Sequence, residues 1–311
     1  MKELGNYKNG NYTVTIYDDG TKVRETNDDK FIPNFAECID VNLSYKCNVG
    51  CKFCYLNCNP KGREADLKSE NTLKFLDSLK PYTEIALNLN NYEMKGLKYF
   101  LTEAKKRNII ANVTVNIKII DLDYLLDLKK DNLIHGIGVS ISDFNNLDKE
   151  LILRLSKIDD IVFHLVAGIV TASDMIKLSE IADLKVLILG YKNVGKGETL
   201  LKNNFNIINN INLIKNNING LKNFFKVMSF DNLAVEQLNL KEAFKDIFDD
   251  YYMGDDGQFT YYVDLVYNTF SKSSLDKDVV FKMQDFDFNS TRMFQYIRER
   301  YESNKKISIW N

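Results

Sequence analysis

Proline is scarce in this chain, with three among 311 residues, too few for a Pro-rich linker. An excess of one charge sign is also missing. Lys and Arg number 41 against 43 Asp and Glu, a formal net charge of -2, so there is no global basic field and bulk binding to a nucleic-acid backbone is not indicated. No stretch reaches the roughly 18 uncharged apolar residues that a membrane span requires. The opening Met1-Lys2-Glu3-Leu4-Gly5 is polar and no apolar signal core follows it, so the expected location is the cytoplasm, with no membrane partner. Histidine is limited to His135 and His164; a partly buried structural role is expected for both, with His164 placed to point into the interior. What the chain does have is 45% hydrophobic and 27% charged residues, enough to bury a large core and to exclude disorder. Its length suits one α/β barrel with extensions, or two small domains.

Residues 12–25 read as a β-hairpin. Tyr12-Thr13-Val14-Thr15-Ile16-Tyr17 alternates, Asp18-Asp19-Gly20 supplies the turn, and Thr21-Lys22-Val23 starts the return. From Ala36 a different rhythm begins. Six Val- and Ile-rich runs, at residues 38–43, 84–89, 110–117, 134–141, 161–166 and 184–189, look like buried parallel strands. Helical spacing fills the gaps. Ser69 can cap a helix carrying Leu73, Leu76 and Leu79 and ended by Pro81. Leu97, Phe100, Leu101 and Ala104 form the next stripe, with Asn108 as a stop. Leu122, Leu125, Leu126 and Lys129 follow, then Leu151, Leu155 and Ile158, then Met175, Leu178 and Ile181. The Asn-rich residues 203–220 carry Ile207, Ile211, Ile214, Ile218 and Leu221 at steps of four and three, which predicts a sixth helix and not a linker. Six β-α units in succession predict a parallel barrel, whole or partial. Beyond it, residues 224–230 and 258–270 read as further β segments, and Asn289 or Ser290 can cap a last helix with Phe294, Ile297 and Tyr301 inward. The expected organisation is a hairpin extension at 1–35, the barrel at 36–222, and an α+β extension at 223–311 that caps the barrel.

All five cysteines, Cys38, Cys47, Cys51, Cys54 and Cys58, fall in one short window. An odd, clustered set in a reducing compartment argues for metal or redox chemistry over a disulfide framework. Cys47, Cys51 and Cys54 have C-x3-C-x2-C spacing just after the first strand of the series, where a parallel barrel displays its active-site groups. Three thiolates on one loop can hold a [4Fe-4S] cluster and leave one iron open to a small molecule. A structural zinc site is the alternative: Cys58 extends the series to four thiolates, although no second knuckle exists to complete a ribbon. Cys38, within the first strand, reads as a buried inert thiol.

Cys47, Cys51, Phe53 and Cys54 resemble the C-x3-C-x-aromatic-C signature of the radical S-adenosylmethionine (radical SAM) superfamily. The resemblance implies an α/β fold with a partial, TIM-like (β/α)6 barrel. It also implies S-adenosylmethionine (SAM) on the open iron, its reductive cleavage to a 5'-deoxyadenosyl radical, and hydrogen abstraction from a substrate that the sequence does not name. An external flavodoxin- or ferredoxin-like donor would supply the electron, and Phe53 would lie near the adenine. Segments such as Gly136-Ile137-Gly138-Val139-Ser140 and Met253-Gly254-Asp255-Asp256-Gly257 are similar to a group of poorly characterised, phage-encoded radical SAM proteins. One departure stands out: Asn88-Leu89-Asn90-Asn91 occupies the place of the family's glycine-rich segment, with Leu89 adding bulk where glycine gives room. A diverged fold that keeps its cluster without turning over SAM is therefore a further alternative. Asn88 and Asn90 remain candidates for SAM, with Asn116, Ser140 and Lys192 at later strand ends for ribose hydroxyls and a carboxylate. Residues 190–197 read by default as a flexible loop, Asp255-Asp256-Gly257 as a turn, and Asp231 and Gln237 as weaker candidates without an assigned role.

Overall fold

The computed structural model describes residues 2–276 and 278–308, with side chains described to residue 300. Strands β1 (Glu3–Asn9), β2 (Tyr12–Tyr17) and β3 (Lys22–Glu25) form an antiparallel sheet. The β2–β3 hairpin matches its sequence signature, and the Asp19 carboxylate accepts from the Thr21 amide across the turn at 3.0 Å. Strand β1 has no such signature. Its Glu-Leu-Gly-Asn start is poor in β-formers, and pairing with β2, with a register shift between Glu3 and Gly5, makes it a strand.

The main sheet holds β4 (Cys38–Asn42), β5 (Glu84–Asn88), β6 (Ile110–Asn116), β7 (Ile137–Ser140), β8 (Ile161–Val166) and β9 (Lys185–Leu189), all at the expected positions. It continues with β10 (Val227–Phe230), β11 (Thr260–Asp264), β12 (Thr269–Ser271) and β13 (Phe281–Lys282). The spatial order is β10-β9-β8-β7-β6-β5-β4-β11-β12-β13. Every neighbouring pair from β10 to β11 is parallel, so two strands from the C-terminal part flank the six of the series, one on each side. Strands β10 and β11 do not pair with one another, which leaves the barrel open along that seam.

Helices α1 (Glu70–Ser78), α2 (Leu97–Lys106), α3 (Leu122–Lys130), α4 (Lys149–Leu155) and α5 (Ala172–Ser179) alternate with the strands. Ser69 caps α1, accepting from the Thr72 amide at 3.2 Å. The α2 stripe is fully buried as expected. On α3 the inward pair is Leu125 and Leu128 while Leu126 is exposed, and on α4 it is Ile152 and Leu155. The Asp121 and Asp148 caps start these helices so that the inward face is turned by about one residue from the Leu-only stripe. Two helices follow β9: α6 (Lys196–Asn203) and the expected α7 (Asn206–Leu221), whose Ile207, Ile211, Ile214, Ile218 and Leu221 are all buried. Short helices α8 (Asn232–Gln237), α9 (Leu240–Ala243) and α10 (Phe248–Tyr251) cross from β10 towards β11, and α11 (Ser290–Ser308) packs Met293, Phe294 and Ile297 inward. Tyr301 lies outside the residues whose side chains are described.

Along β4, β5 and β8 the helix-facing residues are buried: Ile39 and Val41, Ile85 and Leu87, Phe163 and Leu165. Their alternates face the lumen and are mostly polar, including Asp40, Glu84, Asn88 and His164. A period-two pattern therefore sorts an apolar shell from a more polar lumen. The small sheet sits against the strand N-termini. Lys22 pairs with Glu84 at the start of β5. Glu37, just before β4, takes Arg24 through Nε and Nη2 (both 2.9 Å) and the Tyr12 hydroxyl at 2.5 Å. These satisfied, low-exposure charges tie the small sheet to the strand N-termini, opposite the end that carries the loops described next. No helix among the described residues is long and apolar enough to cross a membrane.

Candidate metal centre

Strand β4 ends at Asn42 and runs into the irregular loop that carries Cys47, Cys51, Cys54 and Cys58, all free thiols. Other strand ends hold this loop in place. From β5, the Asn88 amide grips it twice, accepting from the Leu43 N–H at 2.7 Å and donating to the Ser44 carbonyl at 2.9 Å. Asn90 donates to the same carbonyl at 3.1 Å. From β11, the Asp264 carboxylate accepts from the Tyr45 hydroxyl and from Asn42 Nδ2 at 3.3 Å. Within the loop, the Cys47 amide donates to Asn59 O at 3.0 Å.

The segment after β9 closes on the loop from the far side. Lys196 donates its amide to Cys54 O at 3.1 Å and its Nζ to Cys58 O at 2.8 Å. This approach needs glycine. Gly195 has φ +62°, and a Cβ there would lie 2.5 Å from Tyr55 O; a Cβ on Gly197 would lie 2.3 Å from Lys192 O. Residues 190–197 are thus a bracket for the cysteine loop and not the free loop expected. The glycines were the signal, but their spacing matches no phosphate cradle, so their partner was invisible in the sequence.

The sulfurs carry donors of their own. Cys54 Sγ accepts the Cys58 amide at 3.4 Å, Asn116 Nδ2 at the end of β6 reaches Cys51 Sγ at 3.9 Å, and Asn90 Nδ2 reaches Cys58 Sγ at 3.8 Å. The interaction with the Cys58 thiol, helped by the Cys58 amide, draws the Cys54 thiol down to about 6, against the opposing effect of burial. The same contact raises Cys58, and burial raises Cys51. A thiolate is the form in which a cysteine ligates metal, and this shift favours the thiolate at Cys54. Among the described residues no three His, Cys, Asp or Glu side chains converge on one ion-sized point. A zinc tetrahedron requires that convergence, at Zn–S distances of about 2.3 Å. A [4Fe-4S] cluster does not, because each thiolate meets a different iron. Four free thiols on one braced loop, three of them with N–H donors at sulfur, have the chemistry of a thiolate metal site.

The remaining sequence candidates fall around this loop. Phe53 is half-buried against the core. Asn88 and Asn90 spend their side chains on the loop, as above. Asn116 also donates to Ser142 Oγ at 3.0 Å. Ser140 ends β7 on the lumen face. Leu89 is 1% exposed and points into the apolar shell, so its bulk does not enter the lumen. Lys192 donates to Ser274 Oγ at 2.7 Å and lies 4.1 Å over the Tyr55 ring. Cys38 is only part-buried and faces the lumen instead of the core. His164 also faces inward, held neutral by burial that takes it down to about 4. Asp231 caps α8 and accepts the Gly190 amide at 2.9 Å, and Gln237 makes paired hydrogen bonds with the Tyr191 backbone. Both fasten the bracket segment. Asp256, in a turn as expected, lines a pocket of about 70 Å³ with Asp40, Lys192, Asp231, Lys272 and Ser273.

The sequence matches no family model and no curated protein. Solved structures do match in fold. One is SuiB from Streptococcus suis bound to S-adenosylmethionine, with a TM-score of 0.54 and 14% identity over 78% of this chain and 61% of that one. The same protein bound to the precursor peptide SuiA gives 0.55 and 14% over 78% and 60%. The chain thus spans about three fifths of the length of the SuiB structures it matches. The likeness shows the fold: a mostly parallel α/β sheet of alternating strands and helices, open as a partial barrel, with an antiparallel sheet before it.

Proposed function

We propose that this chain is a radical SAM enzyme in which Cys47, Cys51 and Cys54 hold a [4Fe-4S] cluster. The observation that carries this reading is the cysteine loop at the C-terminal end of β4, braced from β5, β11 and the segment after β9. A fold shared with a protein solved in complex with SAM supports it. When bound, the cluster and SAM together supply one-electron reductive cleavage that ends in hydrogen abstraction from a substrate. The chain's own residues bind and orient. Asn88, Asn90, Tyr45 and Lys196 fix the loop, and Asn116 offers its amide to the Cys51 sulfur. Phe53 and Ser140 receive the nucleoside. A flavodoxin- or ferredoxin-like donor delivers the electron from outside.

The test is anaerobic purification with iron and sulfide assay, then incubation with reductant and SAM. Iron with equal sulfide and release of 5'-deoxyadenosine are expected. Cys47→Ala, Cys51→Ala and Cys54→Ala should each lose the iron, whereas Cys58→Ala should keep it. A protein holding one zinc per chain, with Cys58 needed as much as the others, refutes the reading. One observation favours a second reading, a diverged fold that keeps the cluster without turnover: Asn88 and Asn90 replace the glycine-rich segment and are spent on the loop. Iron and sulfide without 5'-deoxyadenosine would select it.

A further inference from the structure

The pocket at the seam of the barrel is separate from the cysteines but shares Lys192 with them, through the Tyr55 ring. It bridges the two lips that do not pair. Asp40 comes from the lumen face of β4 and Thr260 from β11; Lys192 follows β9, Asp231 follows β10, and Ser273 and Ser274 follow β12. Three carboxylates and two lysines line it. Lys192 and the three carboxylates do not neutralise one another by contact among the described residues. The Asp40 carboxylate makes no hydrogen bond or ion pair with any described residue, and Lys192 forms no ion pair with Asp40, Asp231 or Asp256 among the described residues. The lysine gives its hydrogen bond to Ser274 and its charge to an aromatic face. Asp231 Oδ1 is taken by the Gly190 and Ala234 amides, and Asp256 Oδ1 by Asn232 Nδ2 at 2.6 Å. Asp40 is exposed on the lumen face of β4, beside the unpaired seam. Its carboxyl is pushed up to about 6, first by burial and then by Asp256 and Asp231, with Lys192 opposing. A surplus of negative charge sits where a ligand can enter.

A divalent metal does not fit this surplus, because these carboxylates do not converge on one ion-sized point. An organic cation does, since its charge is spread and its N–H groups can reach separate acceptors. We propose that the pocket takes a primary ammonium or guanidinium group of the substrate, with Asp40 as its counter-ion and Asp256 as a second acceptor. The proposal deepens the enzyme reading above by naming a substrate class, and it rests on that reading only for the word substrate.

The experiment is a titration of the full chain, purified anaerobically with its bound metal, followed by ligand-observed NMR and calorimetry. The probes are agmatine, a free small cation, and two end-blocked tripeptides, Gly-Lys-Gly and Gly-Arg-Gly, which carry the same groups on a peptide. N-acetylated agmatine, its guanidinium replaced by urea, is the neutral control. Binding of at least one cationic probe and not of the neutral control is expected; agmatine alone points to a small amine and the tripeptides alone to a peptide. Asp40→Asn should weaken binding by about tenfold or more, and Lys192→Met, which removes the internal competing charge, should tighten it. Unchanged melting temperatures establish that both variants fold, and Asp256→Asn provides a second weakening variant should Asp40→Asn melt early. Equal binding of the neutral control, no binding of any probe, unchanged affinity in Asp40→Asn, or displacement of the probe by SAM would each overturn the proposal. Cation binding by a protein that lacks iron and sulfide would sink the cofactor reading and leave this one standing.

Discussion

Removing the Asn88 side chain is the sharpest perturbation of the cysteine loop. Its amide is the partner of the Leu43 N–H, in a residue 1% exposed, and one of two amide donors to the Ser44 carbonyl. Asn88→Ala deletes both hydrogen bonds, each worth about 1 kcal/mol net, and strands a buried N–H at a further cost of about 1–3 kcal/mol. A loss of about 3–5 kcal/mol is expected in urea denaturation, read as a shifted midpoint at constant slope. Asn90→Ala should cost less, about 1 kcal/mol, because Asn88 still serves Ser44. The double variant should cost more than the two singles added, since the carbonyl then loses both amide donors. Iron content after reconstitution should fall in the same order. A stability change within about 0.5 kcal/mol for Asn88→Ala, or strict additivity of the pair, would refute the claim that β5 fastens the loop through one shared carbonyl.

Gly195→Ala should destabilise by about 1–3 kcal/mol, and alkylation of Cys54 should speed up as the bracket loosens. Gly220→Ala, in α7 with open space around it, should instead stabilise by about 0.5–1 kcal/mol, which a pair of melting curves would show. His164 sets a pH dependence. Its folded value of about 4 lies below its ordinary 6.5, so the unfolded chain binds the extra proton first, and stability should fall as pH drops from about 6.5 to 4. His164→Asn should flatten that part of the stability profile. Tyr45→Phe removes a donor from Asp264 and should cost about 1–2 kcal/mol in denaturant midpoint while leaving bound iron in place.

The barrel was legible because its strands are buried on the helix side, and such runs announce themselves: Ile85 and Leu87, or Phe163 and Leu165, stand out in any register. The cysteine triad was legible because its ligands are close in sequence. What holds the triad was not. Tyr45 and Asp264 lie 219 positions apart, and Lys196 meets Cys58 across 138. Nothing local in Asp264 says which loop it will grip. The same limit hid the seam pocket: Asp40 and Asn42 read only as the polar alternates of a strand, and only the pairing of β11 with β4 brings Asp40 near Asp256. The glycine-to-asparagine departure read as a threat to the lumen, yet strand alternation sends Leu89 outward and leaves the two flanking amides facing the loop.

The placement of β11 beside β4 has a consequence for how the protein is made. A ribosome releases β4 and its thiols early, but the neighbour that completes one flank of that strand arrives only at Thr260–Asp264 of 311 residues. Until then β4 has a ladder on one side alone, and the tyrosine that anchors the thiols has no carboxylate to meet. Nascent chains therefore first hold the thiol loop through the Asn88 and Asn90 amides, later through Lys196, and close the Tyr45–Asp264 clasp only near the end of synthesis.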